Sequence, residues 1–367
     1  MLTSSFQPTS SLLAHEIARQ PKVWHTTLQR VLPHLKCTSS GNSPVVLCGA
    51  GTSAYAASAI AEAWPGALAI PTTDLLVQSE AEILAAAPRF EQGGLLISLA
   101  RSGDSPESAG VVLKIQKLFP KVRHLAIVCS ADGRLAHLPG IDVLLLDPRC
   151  NDHALAMTGS FSNLALAGVA LGHRDEIAPQ LNQVCAQVDE WIANRMDTLA
   201  EVAQACTDRV VVLASAMQAL AREASLKIVE LTSGRVMTTW ETYLSFRHGP
   251  LGLLRENTPV VCYLSSCPKK LRYELDLVAD LHARGLGRLV LVGNDPTLAT
   301  DRDWFIPAAA PNLPDCLRTP FEIVLVQLLA YQLAIRVGID PDDPSPDGAV
   351  TRVVRPFRVH NDAEVRA

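Results

Sequence analysis

The sequence predicts an α/β protein made of two similar units in tandem, and three observations carry that prediction. Short apolar runs alternate with stretches of helical length. The runs are rich in Val, Ile and Leu, as strands buried on both faces of a parallel sheet are. Their spacing also repeats. Runs start at residues 45, 95, 125 and 143 in the first half and at 210, 260, 289 and 304 in the second, so intervals of 50, 30 and 18 are matched by 50, 29 and 15. A duplicated unit explains the agreement although the side chains have diverged.

In chain order, residues 1–35 form a lead-in that reads as helical from Ser10 to Leu35 with a break at Pro21. The first unit, 36–195, has its strands at Val45–Cys48, Leu95–Leu99, Leu125–Cys129 and Val143–Leu146. Helices are expected between them over Ala54–Trp64 and Pro106–Leu118. Strand, helix, strand alternation calls for parallel pairing with right-handed crossovers. The boundary falls near Trp191–Ala205, and the second unit, 196–340, carries Val210–Leu213, Val260–Leu264, Leu289–Val292 and Trp304–Ile306. The most apolar helical stretch, Phe321 to Ile335, contains Glu322, Gln327 and Gln332. In the arm, 341–367, the prolines of Pro341–Gly348 exclude regular structure. The following Val350–Val354 reads as a short strand or an extended arm.

Composition bounds the function. With 48% hydrophobic and 19% charged residues the chain can bury a large core, which excludes a mostly disordered protein. A net charge of −5 speaks against a nucleic-acid binder. No run of about 18 uncharged apolar residues predicts a membrane span. Met1–Phe6 lacks the basic and apolar regions of a secretory leader, so a cytoplasmic protein is expected. The nine cysteines include no Cys-x-x-Cys pair, which predicts small buried hydrophobes in a reducing compartment rather than a zinc site.

Two loops carry the chemistry of the first unit. Gly49-Ala50-Gly51-Thr52-Ser53 follows the first strand and opens an alanine-rich helix. Small residues allow close backbone approach, and a helix start presents free N–H groups to an anion. Ala100-Arg101-Ser102-Gly103-Asp104-Ser105-Pro106-Glu107 follows the second strand, with Ser105 placed as N-cap and Pro106 as first helical residue. Ordinary capping is the plainer account of either loop alone. Together they open at one carboxyl edge of a parallel sheet, where ligands of such sheets bind, and the pairing points to a phosphate monoester. No Gly-Lys-Ser/Thr follows either loop, and Ala54 replaces the third glycine of a dinucleotide fingerprint. In the second unit, Glu223, Lys227 and Glu230 fall on one face of a mostly apolar helix, where ionisable groups are candidates for altered pKa values. A solvated salt-bridged face is the alternative. His248, in Phe246-Arg247-His248-Gly249-Pro250, can shuttle protons near neutrality or be a plain loop residue.

These motifs, in this order, resemble the sugar isomerase (SIS) family as seen in the isomerase half of glucosamine-6-phosphate synthase. The closer likeness is to AgaS-type proteins, which are galactosamine-6-phosphate deaminase/isomerases also described as tagatose-6-phosphate ketose/aldose isomerases. Ala100–Gly103, Ala156-Met157-Thr158-Gly159-Ser160-Phe161, Glu230–Met237, Phe246–Pro250 and Thr351–Val354 carry it, and it runs from about Ser10 to Val354. The resemblance implies two tandem SIS domains, each a five-stranded parallel sheet with helices on both faces in a flavodoxin-like three-layer sandwich. It implies no metal or organic cofactor. It also implies a homodimer or higher homo-oligomer with sites at subunit contacts.

Residue by residue, the phosphate loops match at Gly51, Thr52, Ser53, Arg101, Ser102 and Ser105, and a further sugar-contacting loop at Thr158 and Ser160. Glu230 matches the glutamate that moves the proton between carbons 1 and 2. Lys227 matches an active-site lysine, and His248 matches a ring-opening histidine supplied by the partner subunit. Arg352 stands where the synthase tail has a lysine, Ala100 where it has a serine, and two extra residues separate Glu230 from His248. No glutaminase domain precedes the first unit, so glutamine-dependent amination is not expected. The implied activity is conversion of a 2-amino-hexose 6-phosphate, galactosamine 6-phosphate ahead of glucosamine 6-phosphate, to a ketose 6-phosphate plus ammonia. Plain ketose/aldose isomerisation of tagatose 6-phosphate is the alternative, and a non-catalytic sugar-phosphate sensor stands behind both.

Overall fold

The computed structural model describes residues 11–38, 43–355 and 357–360. The Met1–Phe6 stretch read for a leader lies outside them. Two helices open the chain, α1 (Leu12–Ala18) and α2 (Gln20–Val31). The break falls at Arg19, because Pro21 sits in the first turn of α2, where its missing N–H costs nothing.

The first sheet follows: β1 (Val45–Cys48), α3 (Thr52–Ala63), β2 (Leu68–Ala69), α4 (Thr72–Val77), α5 (Glu80–Ala86), β3 (Leu95–Ala100), α6 (Pro106–Leu118), β4 (Arg123–Val128) and β5 (Asp142–Leu145). Three helices lead out of it, α7 (Gly159–Ile177), α8 (Leu181–Asn194) and α9 (Met196–Ala205). The second sheet comprises β6 (Arg209–Ala214), α10 (Gln218–Leu231), β7 (Met237–Glu241), α11 (Tyr243–Phe246), β8 (Pro259–Tyr263), α12 (Pro268–Arg284), β9 (Arg288–Gly293) and β10 (Trp304–Pro307). The long α13 (Asp315–Arg336) completes it.

Each sheet has five parallel strands, in the orders β2-β1-β3-β4-β5 and β7-β6-β8-β9-β10, which are the same order read through the duplication. The apolar runs mark four strands per unit. The fifth in each sheet, β2 or β7, is an edge strand that the runs do not reveal. β2 is two residues long, and β7 is partly exposed along its whole length. The fold is that of two tandem flavodoxin-like SIS-type units.

One large apolar core lies between the two sheets and draws on both units, while smaller cores fill the outer face of each sheet. α3, α7, α10 and α13 meet in the shared core. α7 and α13 are buried on nearly every face, which is why their sequences show no clean amphipathic stripe. Packing α10 against α3 brings the charged end of a second-unit helix to the crevice of the first sheet. Val350–Val354 forms no regular element and runs as an extended arm. Six of the cysteines with described side chains are buried, Cys267 is exposed and Cys316 half-buried, and none of them is paired.

Candidate active site

The first sheet ends in a crevice because β1 and β3 are adjacent and their loops leave the same edge. β1 delivers Gly51 in a positive-φ conformation (φ 54°), which turns the chain into α3 and places Thr52 and Ser53 in its first turn. The Gly49 carbonyl accepts the Thr72 amide at 2.8 Å, which pins the loop to α4. β3 delivers Arg101 and Ser102, and Gly103 (φ 76°) reverses the chain before α6. Ser105 takes the N-cap position with Pro106 following, as the sequence predicts, yet its hydroxyl does not cap the helix. It bonds the Ser108 hydroxyl at 2.7 Å instead. Asp104 turns away and accepts the Arg134 amide at 3.1 Å. The Ser102 hydroxyl accepts the Asp104 amide at 3.2 Å, which leaves its own O–H free to donate.

Between these loops lies a cleft of about 230 Å³. Gly51, Thr52, Ser53, Arg101, Ser102 and Ser105 all line it. Glu230 closes one side from the end of α10, and residues 350–354 of the C-terminal arm close another.

Glu223, Lys227 and Glu230 of α10 form one chain that runs from the interior to the cleft. The Nζ of Lys227 lies 3.4 Å from Glu223 Oε1 and is hydrogen-bonded to Glu230 Oε2. Thr52 of the first unit donates to Glu223 Oε1 at 3.3 Å, tying the chain to the anion loop. Glu223 and Lys227 have no solvent exposure, which excludes the solvated-face reading, while the Glu230 side chain keeps 22%. Burial pushes the Glu223 carboxyl up to about 8, against the pull of Lys227 and with Glu230 adding to the rise. Burial works against the Lys227 charge, but the two glutamates outweigh it and hold its pKa above the usual value. A fixed cation thus sits behind Glu230, the carboxylate of these three residues that reaches the cleft.

Arginine placement differs from what residue type alone implies. The Arg101 guanidinium donates to the carbonyls of Leu155 (3.2 Å) and Arg352. Arg352 turns its own guanidinium out of the cleft, to Asn151 Oδ1 at 2.9 Å and to the Asp152 carbonyl. Its place in the lining comes from the arm it anchors.

Thr158 and Ser160 are fully buried and do not line the cleft. Their amides bond Asp152 Oδ2 at 2.8 and 2.7 Å, and the Ser160 hydroxyl bonds the same oxygen at 2.6 Å. They shape the loop that presents Leu155 and Met157, which do line it. His248 is exposed on the turn after α11 and is also absent from the lining.

Sequence reasoning left out several residues. Glu107 and Ser108 line the cleft from the first turn of α6. Behind it, Glu16 of α1 accepts the His153 amide at 2.6 Å, and Arg19 reaches both Glu16 and Asp152. Burial and then Asp152 raise the Glu16 pKa. The signal was present as Glu16, a carboxylate among the buried Leu13, Ala14 and Ile17 of α1, three residues before Arg19. Among the described residues no group of three His, Cys, Asp or Glu is arranged to hold a metal, and no helix is long and apolar enough to cross a membrane.

No family model matches the chain. An AgaS protein of Streptomyces coelicolor is 34% identical over 94% of both chains. The D-galactosamine-6-phosphate deaminase AgaS of Shewanella sp. (strain ANA-3) is 31% identical over 95% of this chain and 91% of its own. Among solved structures, the tagatose-6-phosphate ketose/aldose isomerase of Escherichia coli superposes with a TM-score of 0.82 and 26% identity, covering 95% of this chain and 98% of that one.

Proposed function

This chain belongs to the AgaS family of SIS-domain proteins, and on that premise we propose that it interconverts the aldose and ketose forms of a hexose 6-phosphate by moving a proton between carbons 1 and 2. Membership makes it an enzyme of the aldose–ketose isomerase/deaminase class, acting on a hexose or ketohexose phosphate. The observation that carries the proposal is the shared cleft: two hydroxyl-bearing helix starts on one side, and Glu230 backed by buried Lys227 on the other.

The residues divide the work. The hydroxyls of Ser53, Ser102 and Ser105, with the amides at the starts of α3 (that of Thr52 among them) and α6, hold the phosphate. Glu230 removes the proton from one carbon and returns it to the other. The electron pair stays within the substrate as an enediol, so the step needs no external oxidant. General acid/base work of this kind is worth roughly 10²–10⁴-fold. Lys227 holds the carboxylate in place and offsets the charge that develops beside it. Ring opening falls to His248, and because that residue does not line its own cleft, a second copy of the chain would supply it.

The sequence reading puts deamination first. The order changes with the Escherichia coli structure, which is described as a tagatose-6-phosphate isomerase, so isomerisation without ammonia loss is the main reading here. Deamination is second, favoured by the description of the Shewanella relative. In that reaction the same proton transfer on a 2-amino sugar gives a ketimine, and water then releases ammonia and the ketose.

Purified protein incubated in D₂O with tagatose 6-phosphate, galactosamine 6-phosphate and glucosamine 6-phosphate, each alone, tests both. Deuterium at carbon 1 or 2 of a converted sugar supports the shared step. Ammonium release from an amino sugar moves deamination to first place, and no turnover of any of the three leaves only the sensor.

A further inference from the structure

Glu107 presents a physical problem in the cleft as described. It is 2% exposed, sits in the first turn of α6 and lines the cleft beside Ser105 and Ser108. Its Oε2 is buried and has no hydrogen-bond partner among the described residues. A buried carboxylate oxygen without a donor is costly, so the structure calls for a ligand that brings one. The ligand assigned to this end of the cleft is a phosphate monoester, whose dianion offers acceptors only.

The neighbouring charges do not remove the conflict. In the cleft, the Arg101 guanidinium is committed to the Leu155 and Arg352 carbonyls, that of Arg352 to Asn151 and Asp152, and Glu230 to Lys227. Among the elements packed on α6, α4 carries Asp74 and the turn at Arg134–His137 carries Arg134 and His137. The C-terminal arm, whose Val359 lies against Gly110 of α6, carries Arg355, Arg358 and His360. These, like Asp74, Arg134 and His137, are all exposed, and Asp104 is held by the Arg134 amide. On α6 itself, Lys114 bonds the Leu75 and Leu76 carbonyls.

We propose that Glu107 and the phosphate of the bound substrate share one proton, so that the cleft takes a proton from solvent when it binds a phosphate monoester above neutrality. The proton lies between a carboxylate oxygen and a phosphate oxygen and gives Glu107 the donor it lacks. No covalent bond changes. Glu107 thereby acts as a positioning residue that favours a group able to carry a proton over a permanently dianionic one. The inference rests on the cleft being the phosphate site.

Calorimetric titration of the full chain with sorbitol 6-phosphate, a monoester that has no carbonyl to isomerise and whose dianion carries no proton, at pH 8.5 in two buffers of different ionisation enthalpy, counts protons directly. Wild type is expected to take up about one proton per monoester bound, and its affinity to fall about tenfold between pH 8 and pH 9. Glu107→Gln keeps the size of the side chain and is expected to take up none, with affinity constant within about twofold over that range. Glu107→Asp is expected to keep the uptake, which separates loss of the carboxyl from disturbance of the loop. Binding to wild type without uptake, or equal uptake by Glu107→Gln, overturns the shared proton and leaves the phosphate site standing. No binding of sorbitol 6-phosphate to folded wild type overturns the site and the proton together.

Discussion

Each unit has a crevice at the carboxyl edge of its sheet, and the two differ in everything but topology. The first is lined by hydroxyls and turns through Gly51 and Gly103, both at positive φ. The second, about 380 Å³, lies where the loops after β6 and β8 open, and it is lined by Glu62, Ser266, Cys267, Lys270 and Asp315 among others. There the serines are already satisfied. Both the Ser266 amide and its hydroxyl bond Asp315 Oδ1 at 2.8 Å, the Ser265 hydroxyl bonds Oδ2, and the Ser265 amide bonds Glu274 at 2.7 Å. An incoming phosphate would meet two carboxylates and one lysine. The parallel sheet supplies a crevice wherever strand order reverses, but side chains decide whether it holds an anion. The second unit instead contributes through α10, whose far end delivers Glu230 to the first crevice.

The hardest test of this asymmetry compares one glutamate from each crevice. Glu230→Gln is expected to lower kcat by roughly 10³-fold while phosphate affinity stays within about twofold, because the amide cannot carry the proton. Glu62→Gln is expected to change kcat less than about twofold, since Glu62 serves to accept the Ala219 amide at 2.8 Å and an amide oxygen does that as well. Comparable losses in the two variants, measured on the same substrate, would end the claim that only one crevice works.

The loop beside the second crevice has a pH signature of its own, through Glu274, which accepts the Ser265 amide behind it. Burial raises the Glu274 carboxyl to about 7, with the Ser265 amide working against that rise. The folded protein therefore binds this proton more tightly than the unfolded chain does. The stability it contributes is fully present below the ordinary glutamate value and is lost as pH rises through about 7. The whole effect is about 3 kcal/mol at about 1.4 kcal/mol per unit. Glu274→Gln keeps an acceptor for Ser265 and never ionises. Thermal melts are expected to show the variant gaining on wild type between pH 4.5 and pH 8.5, with turnover at pH 7.5 unchanged. A gain independent of pH would refute the titration.

Much of this contrast was legible in the sequence, for physical reasons that vary along the chain. Central strands such as β3 are buried on both faces, so they read as unbroken apolar runs. β7, Met237-Thr238-Thr239-Trp240-Glu241, borders only β6 and is partly exposed, so nothing in its composition separates it from a loop. The anion loops were legible because a tight turn into a helix demands small and hydroxyl-bearing residues locally. Side-chain direction was not. Arg352 shows a cation at the right place in the arm, yet only the fold reveals that it grips Asn151 and Asp152 and leaves the cleft to its neighbours. Thr158 and Ser160 mark a real loop, which the resemblance gives as sugar-contacting, but both of their amides and the Ser160 hydroxyl are taken up by Asp152. The identity of a residue limits what it can bond; which partner it finds is set by chain segments far away in sequence.

Hydroxyl removal gives a smaller and more discriminating test. Ser53→Ala and Ser102→Ala each delete a donor facing the first cleft, and each is expected to raise KM about tenfold with kcat nearly unchanged, as the loss of one hydrogen bond to a charged group costs about 1.5–3 kcal/mol. A fall in kcat with constant KM would place these serines at the reacting carbons instead of the phosphate.

Ser266→Ala makes the matching change in the second crevice, and it is expected to act on stability alone. Asp315 loses the hydroxyl but keeps the Ser266 amide at 2.8 Å, the Ser265 hydroxyl and Arg318 at 3.1 Å. The carboxylate therefore stays satisfied, and the cost is that of one exchanged hydrogen bond, about 1 kcal/mol. KM for the sugar phosphate is expected to match wild type. A rise in KM here would mean that the second crevice binds substrate despite its carboxylates, and the division of labour between the two units would have to be drawn differently.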